Sequence, residues 1–142
     1  MSLLERVGKE IVGGIRRVTG QGASYADARW YSDDSCQQFM ILDGNLEAND
    51  TTVESGIGVR VLYGGAWGFA ATSRISDIGS CFSRAMANAV SASKLVKVRL
   101  DMGSRPGITG EYSSPFEIDP IEVDLSEKVD FLRSVDSSIT ED

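Results

Sequence analysis

The chain has 142 residues, 14 Lys and Arg against 21 Asp and Glu for a formal charge of −7, 42% hydrophobic residues and no histidine. That is the composition of a folded domain with a core rather than of a disordered segment. It excludes a histidine base, a Ser-His-Asp triad or a His-ligated metal within these residues, and its acidity argues against nucleic acid as a direct partner, since phosphate neutralisation needs clustered Lys and Arg.

Residues 3–18 carry Leu4, Val7, Ile11, Ile15 and Val18 at three- and four-residue steps, which predicts an amphipathic helix. Gly8, Gly13 and Gly14 weaken it and suit close approach to a sheet, and Gly20 and Gly22 end it. The period then changes to two. Strands are predicted at Tyr25–Tyr31, Cys36–Leu42, Asn45–Glu54, Ile57–Tyr63 and Ala66–Thr72. Ser32–Ser35, Asp43-Gly44, Ser55-Gly56 and Gly64-Gly65 separate them as turns. Ile57, Val59, Val61 and Tyr63 would face one way and Gly58, Arg60 and Leu62 the other, with Trp67, Phe69 and Ala71 sharing a face of the last strand.

Ser76 reads as the N-cap of a second helix whose stripe is Ile78, Phe82, Ala85, Ala89 and Val90. Residues 94–124 hold all three prolines and read as an irregular crossover. Asp124 and Glu127 have capping-box spacing before a third helix marked by Val129, Leu132 and Val135. The fold expected is therefore α+β, an antiparallel meander of about five strands with helices on one face. Residues 1–93 would form the core domain, and 94–142 a crossover and C-terminal helix.

No apolar run approaches the ~20 residues that span a bilayer, and MSLLERVGKE lacks the apolar stretch of a signal peptide. A cytoplasmic protein without a membrane partner is expected. Cys36 and Cys81 form no metal-binding or redox motif and read as buried free thiols in a strand and a helix. Gly56-Ile57-Gly58 does not open a helix, so it is not a dinucleotide fingerprint. Glu117, Asp119, Glu122 and Asp124 cluster without a cation-loop pattern and read as a solvated acidic edge. Arg60 lies mid-strand among apolar residues. It is either paired on the sheet with Glu54 or Glu47, or an anchor at a domain or subunit contact. Trp67 and Phe69 read as core more readily than as a ligand platform. No base and nucleophile come together, so no catalytic, cofactor-binding or metal residue is assigned.

The run Gly56-Ile57-Gly58-Val59-Arg60-Val61-Leu62, then Gly65-Ala66-Trp67-Gly68-Phe69-Ala70 and Thr72-Ser73, resembles the N-terminal domain of the TldD/PmbA family. Ala23–Arg29 is similar to a strand of that domain, Leu42–Glu47 to its hairpin, and Pro115–Pro120 to a later piece. Leu42 stands where the family carries Arg before Asp-Gly. The resemblance implies a family described both as modulators of DNA gyrase and as zinc metallopeptidases of peptide maturation. Its zinc-binding histidines lie in a downstream domain, so zinc is implied for the full-length family and no cofactor for this chain. It also implies an N-terminal piece cut from a longer parent, with Met1-Ser2-Leu3 as an expression remnant. The partners implied are the parent's own C-terminal domain, a homo- or hetero-dimer with a family member, and a peptide substrate. Gly56, Gly58, Arg60, Gly65, Trp67, Gly68 and Phe69 are the candidate interface residues. In this reading the domain is a dimer scaffold, a wall of the peptide channel and a source of sheet edges for extended peptides. The alternative is a stand-alone regulatory module that binds a protein partner.

Overall fold

The first helix, α1 (Leu3–Gly20), begins with a reciprocal cap: Ser2 Oγ accepts from the Glu5 amide at 3.2 Å and Glu5 Oε2 accepts from the Ser2 amide at 2.8 Å. The computed structural model describes residues 2–103 and 106–140. Met1 and Asp142, the outer ends of the two domains expected from the sequence, lie outside them.

After α1 come β1 (Tyr25–Leu42), β2 (Asn45–Tyr63), β3 (Ala66–Thr72), a 3-10 turn over Ile75–Asp77, α2 (Ile78–Ser93) and α3 (Leu125–Thr140). The expected α+β class and antiparallel sheet are present. The sheet has three strands, in the order β1-β2-β3, rather than five. The polar clusters at 32–35 and 55–56 stay extended inside β1 and β2. A two-residue hairpin turn needs left-handed backbone, and only the real turns supply it: Asp43 and Gly44 have φ of 49° and 75°, Gly64 and Gly65 of 56° and 81°. Turn propensity without that backbone yields to the ladder.

Contacts divide the chain into two compact units, residues 1–32 with 55–106 and residues 33–54 with 107–142. The long strands β1 and β2 each contribute to both units.

In the first unit β2 pairs antiparallel with β3, from Ile57 opposite Thr72 to Tyr63 opposite Ala66. Ile57, Val59 and Val61 of β2 form one buried cluster with Val7 and Val18 of α1 and with Ile78, Cys81, Phe82, Ala85 and Ala89 of α2. Burial of this apolar surface is the main force holding helices to sheet. Leu4 has the spacing of the α1 stripe but is exposed, one turn short of the core. Of the three α1 glycines expected to face a sheet, Gly14 instead admits the ring of Phe82 from α2, and nothing lies within 4 Å of a Cβ at Gly8 or Gly13. The α2 N-cap is Asp77, without a side-chain cap bond, and Ser76 Oγ donates to the Asp77 carboxylate at 3.0 Å. The 3-10 turn moves the helix start past the expected Ser76.

In the second unit α3 holds the hairpin tip. Gly44 donates its amide to Asp136 Oδ2 at 2.7 Å, and its carbonyl accepts from Arg133 Nε at 3.1 Å. Lys128 Nζ donates to Gln37 Oε1 at 2.6 Å and lies 6.0 Å from the centre of the Phe39 ring. Val129 is buried. No helix among the described residues is long and apolar enough to cross a membrane.

Candidate functional site on the outer sheet face of the first unit

In the first unit strand alternation sends one set of side chains to α1 and α2 and the other set to the opposite face. Ala26, Ala28 and Trp30 of β1 pack on the helix-side core with Ile57, Val59 and Val61. Their alternates in the first unit are Tyr25, Asp27 and Arg29 of β1, Gly58 and Arg60 of β2, and Trp67, Phe69 and Ala71 of β3. This second set forms the candidate site.

At its centre Arg60 meets Asp27. Arg60 Nε lies 3.1 Å from Asp27 Oδ1 and 3.0 Å from Oδ2, and Arg60 Nη2 lies 2.5 Å from Oδ2. The partner is thus Asp27, rather than the Glu54 or Glu47 suggested by the sequence. Those glutamates are near Arg60 in the chain, whereas the sheet brings in a carboxylate from the neighbouring strand. The hydrogen bonds to Asp27, then its charge, hold the Arg60 guanidinium above its ordinary range, against a smaller opposing cost of desolvation and with a minor contribution from Tyr25. The same guanidinium lies 5.3 Å from the Trp67 ring centre. Tyr25 meets Trp67 edge-on at 5.8 Å, and Phe69 is tilted against Trp67 at 6.2 Å.

The face is closed at one end and open at the other. Leu62, opposite Trp67, is fully buried. Phe69 is 57% exposed, so the core reading fails for it, because its strand position points away from the helices. A depression of about 420 Å³ is lined by Asp27, Arg29, Gly58, Arg60, Phe69 and Ala71, among others. A second, of about 480 Å³, continues past Arg29, Gly58 and Ala71 to Tyr31, Gly56 and Thr72.

Of the seven sequence candidates, Gly58, Arg60, Trp67 and Phe69 are on this face, and Gly56 borders the second depression. The remaining two have other work. Gly65 supplies left-handed backbone in the β2–β3 turn. Gly68 faces α2, where a Cβ would collide with the helix backbone at Ala85 and Ala89. Asp27, Tyr25 and Arg29 were missed as partners. The alternation of Tyr25–Tyr31 was the available signal, because it puts these three on the face opposite Ala26, Ala28 and Trp30.

The outer edge of β3 is engaged already. Arg84 Nη2 donates to the Ala71 carbonyl at 3.0 Å and Asn88 Nδ2 to the Phe69 carbonyl at 2.9 Å. Residues four apart on a helix rise about 6 Å, and residues two apart on a strand about 6.8 Å, so the two spacings match. Such cover removes acceptors that an added strand would use.

Cys81 is buried and Cys36 exposed, so only one of the two expected buried thiols is buried. Glu117, Glu122 and Asp124 are exposed, and Asp119 caps a local turn through Ile121 N at 2.9 Å.

Comparison with known proteins adds a partial family match. Residues 37–89 match the family model for PmbA/TldA metallopeptidase domain 1. The matched family is PmbA/TldD, and the matched part is its first domain. A metalloprotease of Methanocaldococcus jannaschii is 25% identical over 120 residues, 83% of this chain and 26% of that protein. A crystal structure from Thermotoga maritima, described as a proposed modulator of a DNA gyrase, superimposes with a TM-score of 0.56 at 17% identity. It covers 95% of this chain and 29% of the Thermotoga chain, and that likeness is one of fold. This chain spans about a quarter of the length of each relative.

The PmbA/TldD match carries a metal question, because the matched domain bears a metallopeptidase name. Here the sequence has no histidine, and among the described residues no three His, Cys, Asp or Glu side chains group to hold an ion. The donors among the described residues do not fit a peptidase zinc site. What the site offers is a paired guanidinium, exposed aromatic surface and a shallow apolar depression.

Proposed function

We propose that this chain is the N-terminal, non-catalytic domain of a TldD/PmbA-type zinc metallopeptidase of peptide maturation, working in the cytoplasm. In this reading the face of the first-unit sheet opposite α1 and α2 serves as dimer scaffold and as a wall of the passage that admits peptide. The carrying observation is a match to the first domain of a metallopeptidase in a chain that has no histidine and among whose described residues no three metal-ligating side chains group. Catalysis is then assigned to other parts of a parent protein. The open end of the sheet face supports the wall role, since Phe69 and Arg29 are exposed beside an apolar depression.

The test compares zinc content and hydrolysis of an unfolded peptide for this chain and for its complete reading frame. Zinc and activity confined to the complete frame would support the assignment. Hydrolysis by this chain alone, or a complete frame ending at Asp142, would overturn it.

A further inference from the structure

We propose that the face of the first-unit sheet opposite α1 and α2 carries a peptide-binding trough running across the strands, floored by Gly58 and Ala71 and closed at its β1 end by Arg29, which takes an apolar side chain with a carboxylate beside it. The inference deepens the channel-wall reading and rests on it for the choice of peptide as occupant.

The floor is the first observation. Gly58 lies opposite Ala71 in the β2–β3 register. These two positions and Arg29 are shared by both depressions, which therefore form one continuous trough. The neighbouring row, Arg60 opposite Phe69, makes one wall. Tyr31 borders the other side.

Gly58 itself is the second observation. Glycine weakens a strand, so a strand glycine calls for a reason. Gly64 and Gly65 have positive φ, and a Cβ at Gly68 would strike the α2 backbone. Gly58 has neither reason: its φ is not positive, and a Cβ there would meet nothing within 4 Å. What its missing side chain does is leave the floor bare. Close approach of a ligand or of another backbone is one of the reasons for a strand glycine, and here the bare floor leaves room for it.

Charge supplies the ligand's chemistry. Arg60 is matched by Asp27. Arg29 is exposed and has no hydrogen-bond or ion-pair partner among the described residues. The trough thus ends in one unmatched guanidinium on a chain of net charge −7. A planar guanidinium pairs best with a carboxylate, by two parallel hydrogen bonds. A single such cation beside Asp27 is a poor match for a polyphosphate. The depression of about 420 Å³ is in the range of small-ligand sites, enough for a side chain with its adjoining backbone.

The test uses acetyl-Leu-Glu-Leu-amide and its Gln counterpart as probes, with titration calorimetry and amide shifts on this chain. Variants are Gly58→Val, which fills the floor with a good strand former, and Arg29→Gln. The expected result is saturable binding of the Glu peptide that shifts the Gly58 and Ala71 amides. Gly58→Val should weaken it about tenfold or more while keeping the fold. Arg29→Gln should abolish the preference for Glu over Gln. No binding at millimolar peptide would overturn the proposal, as would equal binding to Gly58→Val. A wild-type dimer that Gly58→Val dissociates would also overturn it, because the trough would then seat a second copy. Failure here leaves zinc and peptidase activity of the complete frame to be judged separately, and inactivity of that frame leaves trough binding measurable.

Discussion

Gly68 in β3 lies against the backbone of Ala89 in α2, so closely that a Cβ built on Gly68 would stand 2.9 Å from Ala89 Cα and nearer still to Ala85 O and Ala89 N. Helix and strand here touch backbone to backbone. A methyl at this point cannot be absorbed by a rotamer change, because its neighbours are main-chain atoms. Gly68→Ala is expected to cost about 2–3 kcal/mol, the upper range for overpacking. Urea unfolding checks it: the midpoint should fall with little change in slope.

That close approach also brings α2 side chains to the β3 edge. Asn88 and Arg84 reach the Phe69 and Ala71 carbonyls because the helix lies directly over Gly68. Replacing both with Ala frees two edge acceptors at a cost of about 1 kcal/mol each. The telling readout is association. Size-exclusion chromatography with light scattering should show the double variant self-associating with concentration more than the parent chain, through the uncovered edge. An unchanged mass would mean that the two side chains serve stability alone.

The α+β class and the helix positions were legible because apolar periodicity is strong there. Val7, Ile11 and Val18 mark α1, and Ile78, Phe82, Ala85 and Ala89 mark α2. The strand count was not legible. Ser32, Asp33 and Ser55 have turn chemistry, yet a turn needs left-handed backbone, and the sequence does not say which polar cluster takes it. The face of each side chain was legible for β2, where Gly58 and Arg60 stand opposite the core residues as alternation requires. The partner of Arg60 was not, because Asp27 is distant in the chain and arrives only through strand pairing. Nor was the exposure of Phe69, since an aromatic in a strand looks the same in sequence whichever layer its face meets.

The Arg60–Asp27 pair gives a pH prediction. Arg60 is held above its ordinary value, chiefly by its hydrogen bonds to Asp27. A group raised in the folded state contributes stability fully below its unfolded value and loses it only as pH rises through the folded one. For a guanidinium both lie at strongly alkaline pH. The gap in urea midpoint between the parent chain and Arg60→Gln is therefore expected to stay constant through neutral and mildly alkaline pH. It should narrow with added salt, because the pair is partly exposed to solvent. A gap that closes near neutrality would show another group carrying the effect.

The hairpin tip offers a residue-level test in the second unit. Gly44 sits in left-handed backbone with its amide held by Asp136 and its carbonyl by Arg133. The two contacts grip opposite ends of the residue, so they can be separated. Asp136→Ala removes a charged acceptor from the amide, and the opening energy of the tip should fall by about 1 kcal/mol. Amide hydrogen exchange at Gly44 should then speed up about fivefold. Arg133→Ala leaves that amide bonded and should change its exchange much less, while loosening the carbonyl side. Equal acceleration in both variants would mean that the tip opens as one piece with α3, and that neither bond holds the amide by itself.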